Sequence, residues 1–354
     1  MLQKAISMIG ALDQEAMAKA KQRMDSLIKP PGSLGVLEEL AARLAGITGN
    51  LKPVIENKVV VVMAGDHGVF EEGVSAAPQE VTYQMLPTFV RGIAGIGVLA
   101  RHAGARVTVV DIGVAVPVDY PGVLQKKVKA GTDNIAKGPA MTVEEAVRAL
   151  EVGIETAWQE IEQGAQLLAT GDMGIANTTP STALLAVFGN LSVEEITGRG
   201  TLINDEVLNN KIKAIAAAIE INRPNPADPV SVLAKVGGLE IAGLAGLILG
   251  AAAKRVPVLI DGYISTAAAL VASRICPLAR EYMLASHLSG EKSHRYMLEV
   301  LKLKPILHLD MRLGEGTGAA LSVHIVEGSL RILHEMASYD EAKVSDVDHS
   351  KVLQ

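Results

Sequence analysis

The chain has 354 residues, and its 33 Lys and Arg against 39 Asp and Glu give a formal net charge of −6. With no basic excess and only 3% aromatic residues, the composition argues against a nucleic-acid-binding protein, which needs a basic surface and stacking rings. The single cysteine, Cys276, excludes an intrachain disulfide framework and a Cys-rich metal site, fits a reducing compartment, and is expected to be buried as a small apolar residue.

The sequence shows no pattern for export or for crossing a membrane. Residues 1–25 lack the basic stretch, apolar core and cleavage site of a signal peptide and are typical of a charged amphipathic helix. The longest apolar run, 241–253, is shorter than the ~20 residues that a membrane-spanning helix needs, and its glycines favour a buried helix. We therefore expect a cytoplasmic protein without a membrane span.

Two helices are predicted at the start of the chain. The pattern is helical from residue 5 to residue 24, and a second helix follows at 36–46. The prolines and glycines of 28–35 cannot continue a helix and indicate a structured turn between the two. This turn is either a simple linker or, through Lys29, a contact for an anion.

Buried strands alternate with helices through the middle of the chain. Strand-like runs lie at 59–64, 106–112, 167–170 and 256–260. Such alternation predicts an α/β fold with a parallel sheet flanked by helices. One connecting helix is expected at 143–162, where Thr142 and Glu145 form a capping-box pattern.

The two ends of the chain are helical and predict a second, smaller unit. We expect a large α/β domain over 51–318 that carries the active-site loops. The small domain would combine residues 1–50 with 319–354, a C-terminal helix followed by a polar tail from about Asp340.

Each predicted strand ends close to a glycine and a carboxylate. These carboxylates are Asp66, Asp111, Asp172 and Asp261. Ligands of parallel sheets bind beyond the carboxyl ends of the strands, so the carboxylates are expected to share a cleft. Asp66 and the adjacent His67 make only a weak metal site because no further His or Cys follows at helical spacing, and we expect no metal.

The loop after the third strand has the composition of an anion site. Residues 171–182 (GDMGIANTTPST) combine glycine backbone N–H groups, the hydroxyls of Thr178, Thr179 and Ser181, and the start of a helix. These groups either hold a phosphate or cap the helix. The Gly-Lys-Ser/Thr ending of a Walker loop is missing.

Two further segments have more than one interpretation. The polar helix after 198–201 (GRGT) carries Asp205, Lys211 and other charges, most of which are expected to form a solvated face. Glu240, at the start of the apolar helix, is either a charge at a helix N-terminus or a buried functional group.

A dinucleotide-binding pattern, G-x-G-x-x-A, occurs at 95–100 but in the wrong context. It follows a helix-like segment, and the strand comes after it, whereas the dinucleotide fold requires the reverse order. We interpret it as helix packing. A nicotinamide-dependent oxidoreductase is accordingly disfavoured.

Glu315 is the candidate catalytic base. It lies in 312–320 (RLGEGTGAA), with Gly314 and Gly316 on its two sides, after a strand-like run at 305–310. Flanking glycines permit a tight turn and the close approach of a ligand. The pattern alone fits either a catalytic carboxylate or a solvated one in a glycine-rich loop.

Seven segments together resemble the nicotinate-nucleotide:dimethylbenzimidazole phosphoribosyltransferases of cobalamin assembly. In chain order they are 29–35 (KPPGSLG), 64–69 (AGDHGV), 171–179 (GDMGIANTT), 198–201 (GRGT), 261–263 (DGY), 286–291 (SHLSGE) and 312–319 (RLGEGTGA). The resemblance covers almost the whole chain. It implies a Rossmann-like large domain, a small helical domain built from both chain ends, and a homodimer.

The resemblance also implies a reaction. Ribose phosphate would pass from nicotinate mononucleotide to a nitrogen of 5,6-dimethylbenzimidazole, which gives α-ribazole phosphate and nicotinate. The donor already carries a cationic ring nitrogen, so its leaving group needs no proton. The enzyme has to remove the N–H proton of the incoming base, which a carboxylate with a raised pKa can do without metal or cofactor.

The resemblance assigns roles to individual residues. Glu315 matches the catalytic base, and Asp172, the second candidate catalytic residue, lies where the family often has Glu. Gly174, Ser289 and Gly290 match positions that hold the phosphate, and Lys211 lies near the nucleotide. The remaining candidate binding residues are Gln84 and Leu313, beside the base pocket, with Asn177, Thr178 and Asp261.

Two alternatives remain open at this stage. The first keeps the fold but changes the acceptor to a phenolic or purine lower-ligand base, because pocket shape decides the acceptor. The second is a non-catalytic nucleotide-binding subunit, against which the presence of Glu315 argues.

Overall fold

A computed structural model describes residues 1–200 and 203–345. The chain divides into two compact units, one formed by Met1–Gly10 with Asn57–Ser322 and the other by Ala11–Glu56 with the chain from Val323 onward. The strands are β1 Lys58–Gly65, β2 Ala105–Gly113, β3 Val123–Gln125, β4 Leu167–Met173, β5 Val258–Ile260, β6 Met283–Ala285, β7 His287–Leu288 and β8 Leu307–His308.

Helices account for most of the remaining regular structure. They are α1 Leu2–Met8, α2 Gln14–Asp25, α3 Val36–Thr48, α4 Glu80–Val90, α5 Gly95–His102, α6 Val143–Glu162, α7 Thr178–Gly189, α8 Val193–Ile196, α9 Asp205–Asn222, α10 Pro229–Val236, α11 Leu239–Ala253, α12 Tyr263–Ile275, α13 His294–Leu301, α14 Thr317–Glu335 and α15 Tyr339–Ala342. Short 3₁₀ helices span Gly68–Glu72 and Pro277–Tyr282. None of the described helices is both long and apolar enough to cross a membrane.

The large unit contains a six-stranded sheet in the order β3-β2-β1-β4-β5-β6. All neighbouring strands in it are parallel, and β7 and β8 form a separate parallel pair. This confirms the predicted α/β fold with a Rossmann-like parallel sheet. The strand order reverses between β1 and β4, and at such a switch point the loops leave the sheet in opposite directions and open a crevice.

The central strands follow directly from their sequences. In β1 every residue after Lys58 is buried, as expected for a β-branched strand covered on both faces of a parallel sheet. The strand predicted at 167–170 extends to Met173, because Asp172 and Met173 pair with Met63 and Ala64. The strand predicted at 256–260 is shorter and begins after Pro257, which has no N–H for a ladder.

The helices that cover the sheet agree well with the sequence. Helix α6 matches the predicted bounds, and its capping box between Thr142 and Glu145 is present. Helix α11 is buried along its whole length. It approaches α6 so closely that a Cβ on Gly246 would lie 1.9 Å from the Leu150 carbonyl oxygen. Residues 95–100 lie within α5, as their position before a strand indicates.

The prediction of one helix over residues 5–24 is wrong. The helix is broken at 9–13, and Asp13 caps the second part, accepting a hydrogen bond from the Ala16 N–H at 2.9 Å. Helix α1 belongs to the large unit, where the Met1 amino group contacts Glu151 at 2.7 Å. The boundaries of the units therefore differ from the expected 50/51 and 318/319 and fall at 10/11, 56/57 and 322/323.

The smaller unit has its own core, to which α2, α3 and the C-terminal part of α14 contribute. Its buried residues are Ala16, Ala20, Met24, Leu27, Ala41, Ala45 and Leu333. In the turn before α3, the Lys29 Nζ lies 2.8 Å from the Glu38 carboxylate, and both side chains are shielded from solvent. Lys29 therefore stabilises this turn. Residues 346–354 of the predicted tail lie outside the described part of the chain.

Candidate functional site

Candidate site residues gather at the carboxyl ends of β1, β4 and β5. Asp66 follows β1, Asp172 lies near the end of β4, and Asp261 follows β5. All three are at most 7% exposed. Because β1 and β4 flank the switch point, these carboxylates border the crevice in which open parallel sheets bind ligands.

Glu315 lies in a tight turn at this edge of the sheet. Its φ of 63° is in the left-handed region, and Gly314 and Gly316 on either side have φ of 85° and 91°. Asp261 holds the turn, because its Oδ2 accepts from the Gly316 N–H at 3.1 Å and its Oδ1 from the Ala319 N–H at 2.9 Å. Three successive positive φ values explain the glycines around Glu315.

Asp261 is therefore placed differently from its expected role in binding substrate. Both of its oxygens are engaged by backbone N–H groups, and its side chain is buried. The nearest ring is that of His287, whose Nδ1 is 3.9 Å from Oδ1. These contacts make Asp261 the anchor of the Glu315 turn.

The Glu315 carboxylate is largely withdrawn from water. It is 6% exposed, and its Oε2 accepts from the Ile96 N–H at 3.1 Å. Burial raises the pKa of Glu315, the Ile96 N–H offsets part of this rise, and the charge of Asp261 adds to it. A carboxylate with a raised pKa is a stronger proton acceptor once it is ionised.

Asp172 lies next to the Glu315 turn. Its Oδ2 accepts from the Asn177 Nδ2 at 3.1 Å, and a Cβ on Gly314 would lie only 3.3 Å from the same oxygen. Burial raises the pKa of Asp172 well above its usual value, and the charges of Asp261, Glu240 and Glu315 raise it further. Neighbouring carboxyl groups in one buried site cannot all be ionised at low cost, so Asp172 holds a proton more readily than Glu315 does.

The loop from Gly174 to Thr178 leads into α7 and borders a cavity of about 90 Å³. Lys211 lines the same cavity, and its Nζ donates to the Thr178 Oγ1 at 2.8 Å. The side chain is 1% exposed, whereas Asp205 and Lys213 on the same helix are exposed, so most of these charges form the expected solvated face and Lys211 is the exception. Burial lowers the pKa of Lys211 to about 8.

Gly290, which follows Ser289, borders a second and larger cavity nearby. This cavity, of about 610 Å³, is lined by Gly290, Glu291 and Arg312 and shares Arg199 and Gly200 with the first one. The Gly290 N–H donates to the Met311 carbonyl at 2.8 Å, and the Ser289 Oγ accepts from the Glu291 N–H. Thr201, the last residue of the GRGT motif, lies outside the described part of the chain.

Of the two residues expected at the base pocket, one lies beside Glu315. Leu313 is 61% exposed, and a Cβ on Gly95 would lie 2.8 Å from its Cδ2 and 3.2 Å from the Glu315 Oε2. Gln84 is exposed on α4. The same helix reaches the Gly174 loop through Thr82, whose Oγ1 accepts from the Ile175 N–H at 3.0 Å.

The sequence did not predict one buried pair of ionisable side chains. The His67 Nε2 lies 2.7 Å from the Glu240 Oε1, and both side chains are almost fully enclosed. A charged residue in the otherwise apolar α11 was the signal for Glu240, but the partner lies 173 positions away in the sequence. Among residues 1–200 and 203–345, no group of three or more His, Cys, Asp and Glu is arranged to hold a metal ion.

Comparison with known proteins identifies the family. A family model described as phosphoribosyltransferase matches residues 9–344. Nicotinate-nucleotide–dimethylbenzimidazole phosphoribosyltransferases from Desulforamulus reducens and Geobacter sulfurreducens are 56% and 55% identical, over 98% and 99% of this chain and 99% of each relative.

A solved structure agrees with these relatives. The crystal structure of the enzyme of the same name from Thermus thermophilus superimposes with a TM-score of 0.90 at 48% identity, covering 95% of this chain and 100% of that one. Sequence and fold therefore agree over nearly the full length, and the chain belongs to this phosphoribosyltransferase family.

Proposed function

We propose that this enzyme transfers the phosphoribosyl group of nicotinate mononucleotide to 5,6-dimethylbenzimidazole. The products would be α-ribazole phosphate and nicotinate, as required to build the nucleotide loop of cobalamin. The observation that carries the proposal is the Glu315 turn, which holds a carboxylate of raised pKa at the switch point of the sheet. The relatives described above support the choice of substrates.

In this reaction one bond breaks and one forms at the anomeric carbon. The bond to the nicotinate nitrogen breaks, and its electron pair neutralises the positive charge of the ring. A lone pair of the benzimidazole attacks the same carbon, and its other nitrogen loses a proton. Glu315 accepts that proton. Its burial suits it to this role, because the raised pKa of the carboxyl group lies closer to neutral pH than that of an ordinary glutamate.

The phosphate of the donor is assigned to the cavity beside the Gly174 loop. Lys211 is the buried cation there, and an anion would compensate its lost hydration. Thr178 lies at the N-terminus of α7, where the helix dipole favours negative charge. Gly290 borders the adjoining cavity, and both Gly290 and the preceding Ser289 are assigned to the same phosphate.

Asp172 is proposed to act as the protonated neighbour of Glu315. A neutral carboxyl group at this position avoids a second buried charge beside the base, and Asn177 fixes its orientation. Leu313 and Gln84 are assigned to the binding of the benzimidazole. The exposed Leu313 side chain beside Glu315 offers an apolar surface for a flat base.

The proposal includes a cytoplasmic homodimer that requires no metal or cofactor. Size-exclusion chromatography with light scattering is expected to give twice the mass of the chain. A monomer that is fully active would overturn the dimer.

An assay with purified protein tests the function. Nicotinate release from nicotinate mononucleotide is expected only when dimethylbenzimidazole is present, together with a product of the mass of ribazole phosphate. Acceptors that include phenol, p-cresol and adenine would reveal a different lower-ligand base. Binding of the nucleotide without release of nicotinate for any acceptor would overturn the enzyme assignment.

A further inference from the structure

A buried ion pair packs against the Gly174 loop, which is proposed to hold the phosphate. The reaction described above gives this pair no role. His67 follows β1, Glu240 is in the first turn of α11, and the two side chains meet at 2.7 Å with 1% and 0% exposure. A buried ion pair is costly unless its geometry is excellent and its remaining polar atoms are hydrogen-bonded. Here the His67 Nδ1 and the Glu240 Oε2 have no hydrogen-bond partner among the described residues.

The pair is packed directly against the backbone of Gly174. A Cβ on this glycine would lie 3.2 Å from the His67 Nε2 and 3.4 Å from the Glu240 Oε1, so no side chain fits between loop and pair. On another side, a Cβ on Gly238 would lie 2.5 Å from the His67 Cε1. The ring therefore packs against two backbone segments, one of which is the Gly174 loop.

The charges around the ring favour a cation at this place. Burial alone opposes the charged form, but the Glu240 carboxylate, aided by Asp66, outweighs burial and raises the pKa of His67. The titratable groups that face this region are Glu240 from α11, Asp66 beside the ring and Asp172 at the end of β4, on which Glu240 also acts. All three are acidic, and His67 is the positive charge among them.

A second contact links this region to the same loop. Asp66, next to His67, lies beside the Thr82 hydroxyl, which in turn accepts from the Ile175 N–H at 3.0 Å. The loop is thus supported at Gly174 by the ring and at Ile175 by Thr82. The first support comes from the segment after β1, and the second comes from α4.

We propose that His67 is a positioning residue for the donor nucleotide. As a cation paired with Glu240, it packs against the backbone of Gly174 and favours the binding of an anion on the opposite side of this loop. The proposal rests on the proposed function, in which the Gly174 loop holds the phosphate. His67 would act through the loop without touching the substrate.

The test compares His67→Gln, Glu240→Gln and the double variant with the unaltered protein. Glutamine retains a hydrogen bond to Glu240 but carries no charge. For His67→Gln we expect the KM for nicotinate mononucleotide to rise about tenfold, the size of one modest charge interaction acting across the Gly174 loop, with kcat much less affected. Thermal melting would establish that each variant is folded.

Glu240→Gln provides the readout that a merely structural role would not change. Without the carboxylate, only Asp66 still opposes burial, so the pKa of the His67 ring falls and the ring keeps its charge over a narrower pH range. We expect the KM of this variant, relative to the unaltered protein, to be raised and to decrease as the pH is lowered. The double variant has no ring to titrate, so its relative KM should not vary with pH.

An unchanged KM in a folded His67→Gln variant would overturn the inference. If the variants do not fold, nitrogen NMR of histidine-labelled unaltered protein provides the test. A neutral His67 ring at pH 7 would contradict the inference. Failure of the proposed function looks different. In that case the unaltered protein releases no nicotinate, and calorimetric binding of nicotinate mononucleotide to His67→Gln still tests the role of the ring.

Discussion

Glu315 carries two costs that an ordinary surface glutamate avoids. Its left-handed backbone costs roughly 1–3 kcal/mol for a non-glycine residue, and its carboxylate is 6% exposed. Such a conformation persists only where neighbouring contacts hold it, and the two N–H groups bound by Asp261 do so. A residue kept in place at this cost is expected to have a function in the site.

Replacement of Glu315 by Gln should separate binding from chemistry. The amide keeps the size of the side chain but cannot accept a proton from the incoming base, so kcat should fall by about 10²–10⁴-fold. The KM for nicotinate mononucleotide should stay within a few-fold, because the proposed phosphate contacts are elsewhere. Steady-state kinetics at saturating acceptor measure both values, and near-normal turnover would show that Glu315 is not the base.

The pH dependence of kcat should report the ionisation of Glu315. The base works only when it is deprotonated, so kcat is expected to fall as the pH drops through the raised pKa of this residue. In Asp261→Asn a negative neighbour is lost, which lowers the pKa of Glu315. The acid limb of the profile should therefore move to lower pH, while the loosened turn lowers the maximal rate.

Asp111→Asn is the matched control for that variant. Asp111 is also a buried carboxylate at a strand end that accepts a backbone N–H, from Val114 at 2.9 Å, but it lies on β2 and not beside Glu315. Its replacement should leave the acid limb in place. Equal shifts in both variants would mean that the limb does not report on Glu315.

At the scale of elements, the contact between α6 and α11 depends on glycines. A Cβ on Gly246 would lie 1.9 Å from the Leu150 carbonyl oxygen, and one on Gly153 equally close to the Gly243 carbonyl oxygen. Neither obstacle is a flexible side chain. The two helices must therefore separate if either glycine is enlarged, and α11 also packs on β1 and β4, which carry the site.

Gly246→Ala is expected to destabilise the protein by about 1–3 kcal/mol or more, the usual cost of overpacking. Urea unfolding followed by tryptophan fluorescence measures the change. Gly138→Ala is the control, because a Cβ there would meet no atom within 4 Å. Equal midpoints for the two variants would contradict the close packing of α6 and α11.

How much of the fold could be predicted depended on the length of each element. The strand β1 and the helix α11 are long apolar runs, and α6 has both periodicity and a cap, so their sequences were sufficient. The strands β3 and β6 have three residues each and exist because they pair with a neighbour. No period can be recognised in so short a segment.

The candidate site shows the same limit. The strand-end carboxylates could be predicted, because the carboxyl ends of parallel strands meet at one edge of the sheet. The anchoring of the Glu315 turn by Asp261 could not, since it depends on N–H groups more than 50 residues away. Periodicity also gave no indication that Lys211 points into a cavity, because it does not tell which polar face of a helix meets another element.

At the scale of the whole molecule, the two units differ in size and in the position of the only tryptophan. Trp158 lies on α6 in the large unit, where its Nε1 donates to the Gly250 carbonyl at 3.1 Å and the Lys4 and Lys254 ammonium groups lie 5.8 and 5.3 Å from its ring. The small unit has a smaller core and is expected to be the less stable of the two.

This arrangement predicts that two optical probes will disagree during unfolding in urea. Circular dichroism follows the helices of both units and should change in two steps, whereas fluorescence should change once, with the later step. Coincident curves would mean that the chain unfolds as one cooperative unit. Since no second indole contributes to the emission, the spectrum of the native enzyme reports on the surroundings of Trp158, where α6 packs against α11 and Lys4 of α1, without any label.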